Sequence, residues 1–567
     1  MSAAAPDLKA AQAPQAGDPR RAAWQRLQAS PAFDLVVIGG GATGLAVAMD
    51  AVTRGHTVAL FEAVDFAKGT SSRATKLLHG GVRYLAQGQI GLVREALHER
   101  AVLMANAPHL AQPLAFVMPA RRRWQRAFYA TGLRLYDWLA GRRSLGATRS
   151  LSAAELHQAL PALAGGQGGA VRYWDGQFDD ARLALAMARS AQAHGALVLN
   201  HAPVIGLCRA GERLSGVRVQ DAETGEQVEV QAACVVNAAG VWVEQVAGLA
   251  DPADPVPDAG TSHGVAPSDQ PGTAPSVTPS QGVHLVVDRS FWPSNEALIV
   301  PASDGRVLFA VPWLGQVLLG TTDTLLDDLP LEPRPLQAEV DWILSEIGQH
   351  LRRAPTRADV RSQWAGLRPL VRPPAPTGGA AAPQTQRLSR EHTITVAPSG
   401  LVGVWGGKWT TCRAMAEDVL AECVRAGLLP DRGPSRTAAL PLVGAPARAE
   451  RALCEPPSKA LYGTEQAQLQ ALPGADRWLW RAAPSHAGLE DAGLSEAMVR
   501  FAVRHEMART VEDVLARRCR LLFLDAPEAL RVAPEVARLL AEERGEPIDA
   551  DGLAAFEALA TQYAGLD

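Results

Sequence analysis

Cysteine is scarce in this chain of 567 residues. The six present (Cys208, Cys234, Cys412, Cys423, Cys454, Cys519) are scattered, with no C-x-x-C pair. That argues against a disulfide framework and against a zinc site, so no metal is expected, and it fits a reducing compartment. Long apolar runs are missing as well: no window approaches the roughly 18 consecutive apolar residues of a spanning helix. The opening stretch is rich in Ala, Pro and Gln and holds no apolar h-region, and the Arg20-Arg21 pair stands without one, so no export signal is read. Charge of one sign is lacking too. A net charge of −4 gives no global field for nucleic acid. The expectation is a cytoplasmic protein, free or peripheral on the inner face of the cytoplasmic membrane.

The length exceeds one ordinary core, so two or more domains are expected. Residues 1–31 read as a disordered tail. Residues 250–280 (Pro, Gly, Ser, Asp) and 373–386 (Pro, Gly, Ala, Gln) read as surface insertions. From about 445 the strand signals stop. "SEAMVRFAVRHEMARTVEDVLARRC" and "PEVARLLAEER" carry helical periodicity, so 445–567 reads as a C-terminal helical domain.

"FDLVVIGGGATGLAVAMDAVTRGHTVALFEA" reads as strand, glycine turn, helix, strand. Gly39, Gly41 and Gly44 form G-x-G-x-x-G in that context. The first permits the tight turn, the second lets backbone approach a pyrophosphate, and the third lets helix and strand pack closely. The helix start then turns its positive dipole end to the phosphates. Glu62 ends the second strand, where it can hold a ribose hydroxyl pair. A glycine-rich structural turn is the plain alternative; the strand, the helix and the acid together outweigh it.

Two further segments favour FAD over NAD. "VVNAAGVW" is a buried strand ending in small residues, Ala239 and Gly240, which suits a second approach to the cofactor. "GLVGVWGGKWTT" is a strand running into Gly406 and Gly407, then Lys408 and Thr410 at the start of a helix. A helix start there suits the electron-rich edge of an isoalloxazine ring.

With these residues in place the chain resembles the FAD-dependent, respiratory-type glycerol-3-phosphate dehydrogenases. The matching runs extend from the glycine turn through "TSSRATKLLHGGVRYL", "ALHERAVLMANAPHL", "YWDGQFDDARL", "VVNAAGVW", "GVHLVV", "VLFAVPWLGQVLLGTTDT", "WAGLRPL", "SREHTI" and "GGKWTT", in family order, with "VRHEMARTVEDVLARRCRLLF" near the end. "GVW" stands where the family often has "GPW". The resemblance implies an α/β fold. A Rossmann-like, glutathione-reductase-like FAD domain and a mixed-sheet substrate domain would be interleaved over 32–430, with the helical domain behind. It implies oxidation of sn-glycerol 3-phosphate to dihydroxyacetone phosphate, with electrons passed to a membrane quinone.

The resemblance also implies roles. Ser71, Ser72 and Lys76 approach the FAD phosphates and ring, and the "HGG" backbone passes close to the flavin. Arg83 and Tyr84 face the substrate. Arg368 and Arg390 clamp its phosphate. His284 accepts the hydroxyl proton with Arg306 beside the developing oxyanion, and Lys408 is the other candidate base. A flavin-dependent amine or amino-acid oxidase and a non-catalytic flavin redox sensor remain as alternatives. A homodimer stays open.

"PARRRWQRAFYATGLRLYDWLAGRR" (119–143) carries seven arginines and one acid. On a helix, Phe128, Gly132, Leu135 and Leu139 share a face, and Arg126, Ala130, Arg134 and Asp137 make the opposite stripe. Such a segment suits an anionic bilayer surface or a helix packed on its domain.

Overall fold

The computed structural model describes residues 18–82, 85, 88–249, 275–304, 306–372, 392–482 and 491–566. The 373–386 insertion lies outside them, as does the 250–280 insertion up to 274. Residues 276–280 already belong to the strand Ser276–Asp288.

The glycine turn lies in an eight-stranded sheet. Its parallel core runs Leu401–Trp405, Gln227–Asn237, Ala32–Ile38, Val58–Phe61, Leu197–Leu199. Helices cover both faces, so the central strands read as continuous apolar runs. The helix Ala42–Thr53 is buried from Leu45 to Val52. It stops at Arg54, where Gly55 takes a positive φ of 97°.

A ten-stranded mixed sheet forms the second layer. Its long strand Ser276–Asp288 pairs antiparallel with Gln316–Gly320 and with Val360–Arg372. The two faces of this strand divide the core. Val283, Leu285 and Val287 pack toward the helix Gln337–Gly348. Val286 and, on the paired strand, Trp364 pack toward the C-terminal domain. That domain is helical (Glu496–Glu506, Ala526–Arg544, Ala550–Ala564), with a short hairpin of Trp478–Arg481 and Gly493–Ser495 that periodicity did not reveal.

The tail ends sooner than composition suggests. Pro19–Ala29 is a helix, begun by Asp18, which accepts from the Arg20 and Arg21 N–H groups, with Pro19 at the first position. Ala23, Trp24 and Leu27 are buried, and the Arg20 guanidinium is held by Asp221 at 3.0 Å and the Asn200 carbonyl at 3.0 Å. An Ala-rich stretch with a capped start is a good helix former once its apolar stripe finds a sheet to cover.

Charge joins the C-terminal domain to the loop that follows the second strand. Arg517 and Arg518 both donate to the buried Asp65 carboxylate, which also accepts from Asn200 at 2.8 Å. Arg517 reaches Asp513 at 2.7 Å, and Asp513 meets the His201 ring at 2.9 Å. Burial opposes a charged His201 ring, but Asp513 overrides it and raises the His201 pKa. Arg520 donates to the Ser72 carbonyl at 2.8 Å and to Asp180 at 3.2 Å.

Candidate functional site

Three parallel strands end together, and their carboxyl ends build a cradle. After Ile38, Gly39 turns at φ 108°, and a Cβ there would lie 2.7 Å from the Ala238 carbonyl oxygen. A Cβ on Gly44 would lie 2.0 Å from the Gly39 carbonyl oxygen. Only glycine permits either approach. Gly41 caps the helix, whose first-turn N–H groups have no partner within the helix. Ser71 Oγ accepts from Ala42 N–H at 2.9 Å, and the Glu62 carboxylate accepts from Gly40 at 2.7 Å and Val64 at 3.0 Å. Burial raises the Glu62 pKa against those two N–H bonds.

The second strand end contributes Ala239 and Gly240, the latter at φ 62° with nothing within 4 Å of a Cβ built there. The third contributes Gly406 and Gly407 (φ 72° and 97°), then Lys408 and the buried Thr410. Trp409 Nε1 donates to the Ser71 carbonyl at 2.9 Å, which ties this end to the first. Gly41 faces open space apart from Ser71 Oγ, 3.1 Å from a Cβ placed there. A helix start, two glycine ends and a carboxylate around open space fit a dinucleotide with its pyrophosphate on the helix.

In the second sheet three glycines lie at neighbouring positions of the paired strands. Gly282 pairs with Gly366, and His284 with Gly320. His284 stacks on Trp364, ring centroids 5.6 Å apart. Its Nε2 lies 3.0 Å from Thr75 Oγ1, while Nδ1 is buried with no hydrogen-bond partner. Burial, then Lys76 and Arg368, hold its pKa well below the ordinary histidine value. The Arg368 guanidinium lies over Gly282, where a Cβ would meet Nη2 at 2.3 Å. It donates to Thr321 Oγ1 at 3.0 Å and to the Gln281 carbonyl at 3.3 Å. A cation and a neutral imidazole thus lie on the second sheet against the loop that carries Ser71, which meets it through Thr75 on His284 and Thr70 on the Leu367 carbonyl.

The family model described as FAD dependent oxidoreductase matches residues 34–413, and that of the C-terminal domain of alpha-glycerophosphate oxidase matches 435–547. The mitochondrial glycerol-3-phosphate dehydrogenase of Mus musculus is 36% identical over 92% of this chain and 72% of its own length. That of Arabidopsis thaliana is 36% identical over 94% and 86%. The glycerol-3-phosphate dehydrogenase of Bacillus halodurans, solved with FAD, superposes with a TM-score of 0.69 at 27% identity, over 96% of this chain and 98% of its own. The chain belongs to the FAD-dependent glycerol-3-phosphate dehydrogenases. Family membership decides against the amine or amino-acid oxidase reading.

The dehydrogenase departs from several expectations for its residues. Lys76 has no surface to offer a cofactor. Its Nζ is buried on Asp180 at 2.7 Å and the Ser72 carbonyl at 2.7 Å, among Trp313, Trp364 and Phe523. Burial, against the pull of Asp180, moves its pKa down to about 7. Ser72 is likewise buried, and its carbonyl serves Lys76 and Arg520. Arg306 is not beside His284: it pairs with Asp304 at 2.7 Å and lies on Trp342, 3.8 Å from the ring centroid, just before the strand Val307–Trp313 of the second sheet. The buried Gly80 of "HGG" packs on Leu97 and Tyr136, whose hydroxyl accepts from its N–H at 2.8 Å. Arg83, Tyr84 and Arg390 lie outside the described residues. Thr75, Thr321 and Gly282 went unnoticed in the sequence because no spacing marks them; only strand register brings them to His284 and Arg368.

Gly41→Val should abolish FAD retention. Its branched side chain would fill the space at the helix start and press on Ser71. The measurement is flavin absorbance per purified chain, and stoichiometric flavin in the variant would place the pyrophosphate elsewhere.

Proposed function

We propose that the chain oxidises sn-glycerol 3-phosphate to dihydroxyacetone phosphate at this site and passes the electrons to a quinone in the cytoplasmic membrane, on its inner face. The observation that carries the chemistry is the neutral, buried His284 beside the Arg368 cation. FAD, held by the helix start at Gly41, by Glu62 and by the glycine ends of the other strands, would supply the acceptor for the hydride of the carbon that bears the hydroxyl. Arg368 offers the forked donors that suit a phosphate dianion. His284, kept neutral by burial and by neighbouring cations, is ready to accept the hydroxyl proton. Lys408, half-buried at the cradle, is the alternative acceptor.

The membrane part of the reading rests on the helix Arg123–Ala140. It turns outward the face that periodicity suggested, with Phe128 and Leu135 exposed and Gly132 and Leu139 half-buried. Ala130, Leu133, Tyr136 and Ala140 are buried, Arg126 donates to the Leu151 carbonyl at 3.0 Å, and Asp137 accepts from Thr148 at 2.7 Å. The opposite stripe thus contributes Arg126, Ala130 and Asp137 to the packed side, with Arg134 exposed. Outward stand Trp124 (62% exposed), Phe128 (71%), Leu135 (43%) and Trp138 (72%), at helical spacing. Arg121, Arg122, Arg123, Arg134, Arg142 and Arg143 are exposed around them. An aromatic stripe ringed by arginines suits an anionic bilayer surface. Among the described residues no helix is long and apolar enough to cross a membrane.

Each arginine near an anionic surface contributes about 1 kcal/mol. Reversing Arg121, Arg122 and Arg123 to Glu should therefore weaken binding to anionic vesicles by about 100-fold or more. Oxidation of sn-glycerol 3-phosphate with a soluble dye should persist, and reduction of a vesicle-embedded quinone should fall. Co-sedimentation equal to the parent would refute the membrane reading.

A further inference from the structure

The position of His284 poses a problem for direct proton transfer. The residue is 2% exposed, Trp364 covers one ring face, and Gly320 closes on Cδ2. Neither ring nitrogen is open to a ligand: Nδ1 is buried, and Nε2 is taken by the Thr75 hydroxyl at 3.0 Å. Thr75 itself is only half-buried. It lies on the loop whose Ser71 supports the cradle, and that loop is fixed at several points. Thr70 Oγ1 donates to the Leu367 carbonyl at 2.5 Å, one residue from Arg368. Ala74 N–H donates to Asp180 at 3.1 Å, and Lys76 anchors to the same carboxylate. Thr75 is thus held between two residues bound to one buried acid, with its hydroxyl on His284 Nε2 and its side chain partly exposed.

We propose that Thr75 is a proton relay: its Oγ1 takes the proton of the substrate hydroxyl as its own proton passes to His284 Nε2. The inference rests on the reading of His284 as the proton acceptor. The substrate O–H bond breaks, the Thr75 O–H proton moves to the bare Nε2, and the substrate proton replaces it on Thr75. The electron pair of the C–H bond leaves with the hydride, the ketone forms, and the imidazolium later returns its proton through Thr75 to solvent. The relay needs the tautomer with the proton on Nδ1. Burial first, and then Lys76 and Arg368 beside it, keep the ring unprotonated at rest. A phosphate dianion on Arg368 offsets that field when substrate arrives.

The test uses the full-length holoenzyme, with flavin content measured for each variant. Thr75→Val removes the hydroxyl at nearly constant shape. Rapid anaerobic mixing with saturating sn-glycerol 3-phosphate should show flavin reduction slowed by about tenfold or more, with substrate affinity little changed. Thr75→Ser should restore most of the rate. Ring-nitrogen NMR of His284 should show the Nδ1–H tautomer in the parent and in Thr75→Ser, and its loss in Thr75→Val. Fast reduction in Thr75→Val beside slow reduction in His284→Gln would overturn the relay and leave the base. Fast reduction in both would overturn the base reading and the relay with it. Equal slowing in Thr75→Val and Thr75→Ser would assign the effect to loop packing and also overturn the relay.

Discussion

Asp65→Ala should cost about 3–5 kcal/mol, the range for breaking a buried ion pair from one side. Asp65 is buried and answers two buried guanidinium groups, Arg517 and Arg518, from the C-terminal domain. Removing it leaves both facing a cavity too small for full hydration. Arg517 retains Asp513 at 2.7 Å and Glu512 at 2.5 Å, which sets the lower end of the range. The loss should also reach the flavin. Asp65 lies three residues beyond Glu62 and shortly before Ser71, so the loop that supports the cradle loses an anchor to the domain behind it. The comparison is Asp34→Ala, which removes a partly exposed carboxylate bonded to Thr57 N–H at 2.9 Å. It should cost about 1 kcal/mol or less. Guanidinium titrations followed by flavin release and by far-UV signal separate the two. Coincident midpoints for both variants would mean that the Asp65 network does not hold the domains together.

The cradle was legible in the sequence because its rule is local and steric. Gly39 and Gly44 are glycines because a Cβ would strike a carbonyl oxygen a few residues or one strand away. Such positions leave a mark in the order of residues. Glu62 follows from the length of one helix and one strand. His284 and Arg368 were legible through resemblance; their meeting depends on the register of Ser276–Asp288 with Val360–Arg372, which pairs Ser280 with Arg368. No single segment encodes that register. Lys76 and Arg306 were misread for a shared reason. A cation beside a motif faces either the ligand or another partner: Lys76 turns to Asp180, far along the chain, and Arg306 to Asp304 beside it and to Trp342. The helix Arg123–Ala140 shows the same limit. Its period fixed which residues share a face, and the docking of Tyr136 onto Gly80 and Asp175 decided which face turned inward.

Arg368→Ala should weaken transformation of sn-glycerol 3-phosphate far more than it affects FAD. A charge-assisted hydrogen bond contributes about 1.5–3 kcal/mol, and a forked guanidinium makes two with one phosphate. The expected loss in kcat/KM is therefore at least about 10–100-fold, more if water is excluded when substrate binds. Lys in place of Arg should recover only part, since a point charge cannot make both bonds in one plane. The side chain lies in the second sheet over Gly282, held by Thr321 and the Gln281 carbonyl. It is not part of the glycine cradle, so flavin content should match the parent. Glycerol, which lacks the phosphate, supplies the internal control: it should be a very poor substrate for the parent and equally poor for the variant. Anaerobic bleaching of the flavin by each compound gives both comparisons in one experiment. Equal proportional losses for glycerol and its phosphate would show that Arg368 supports the strand rather than the phosphate.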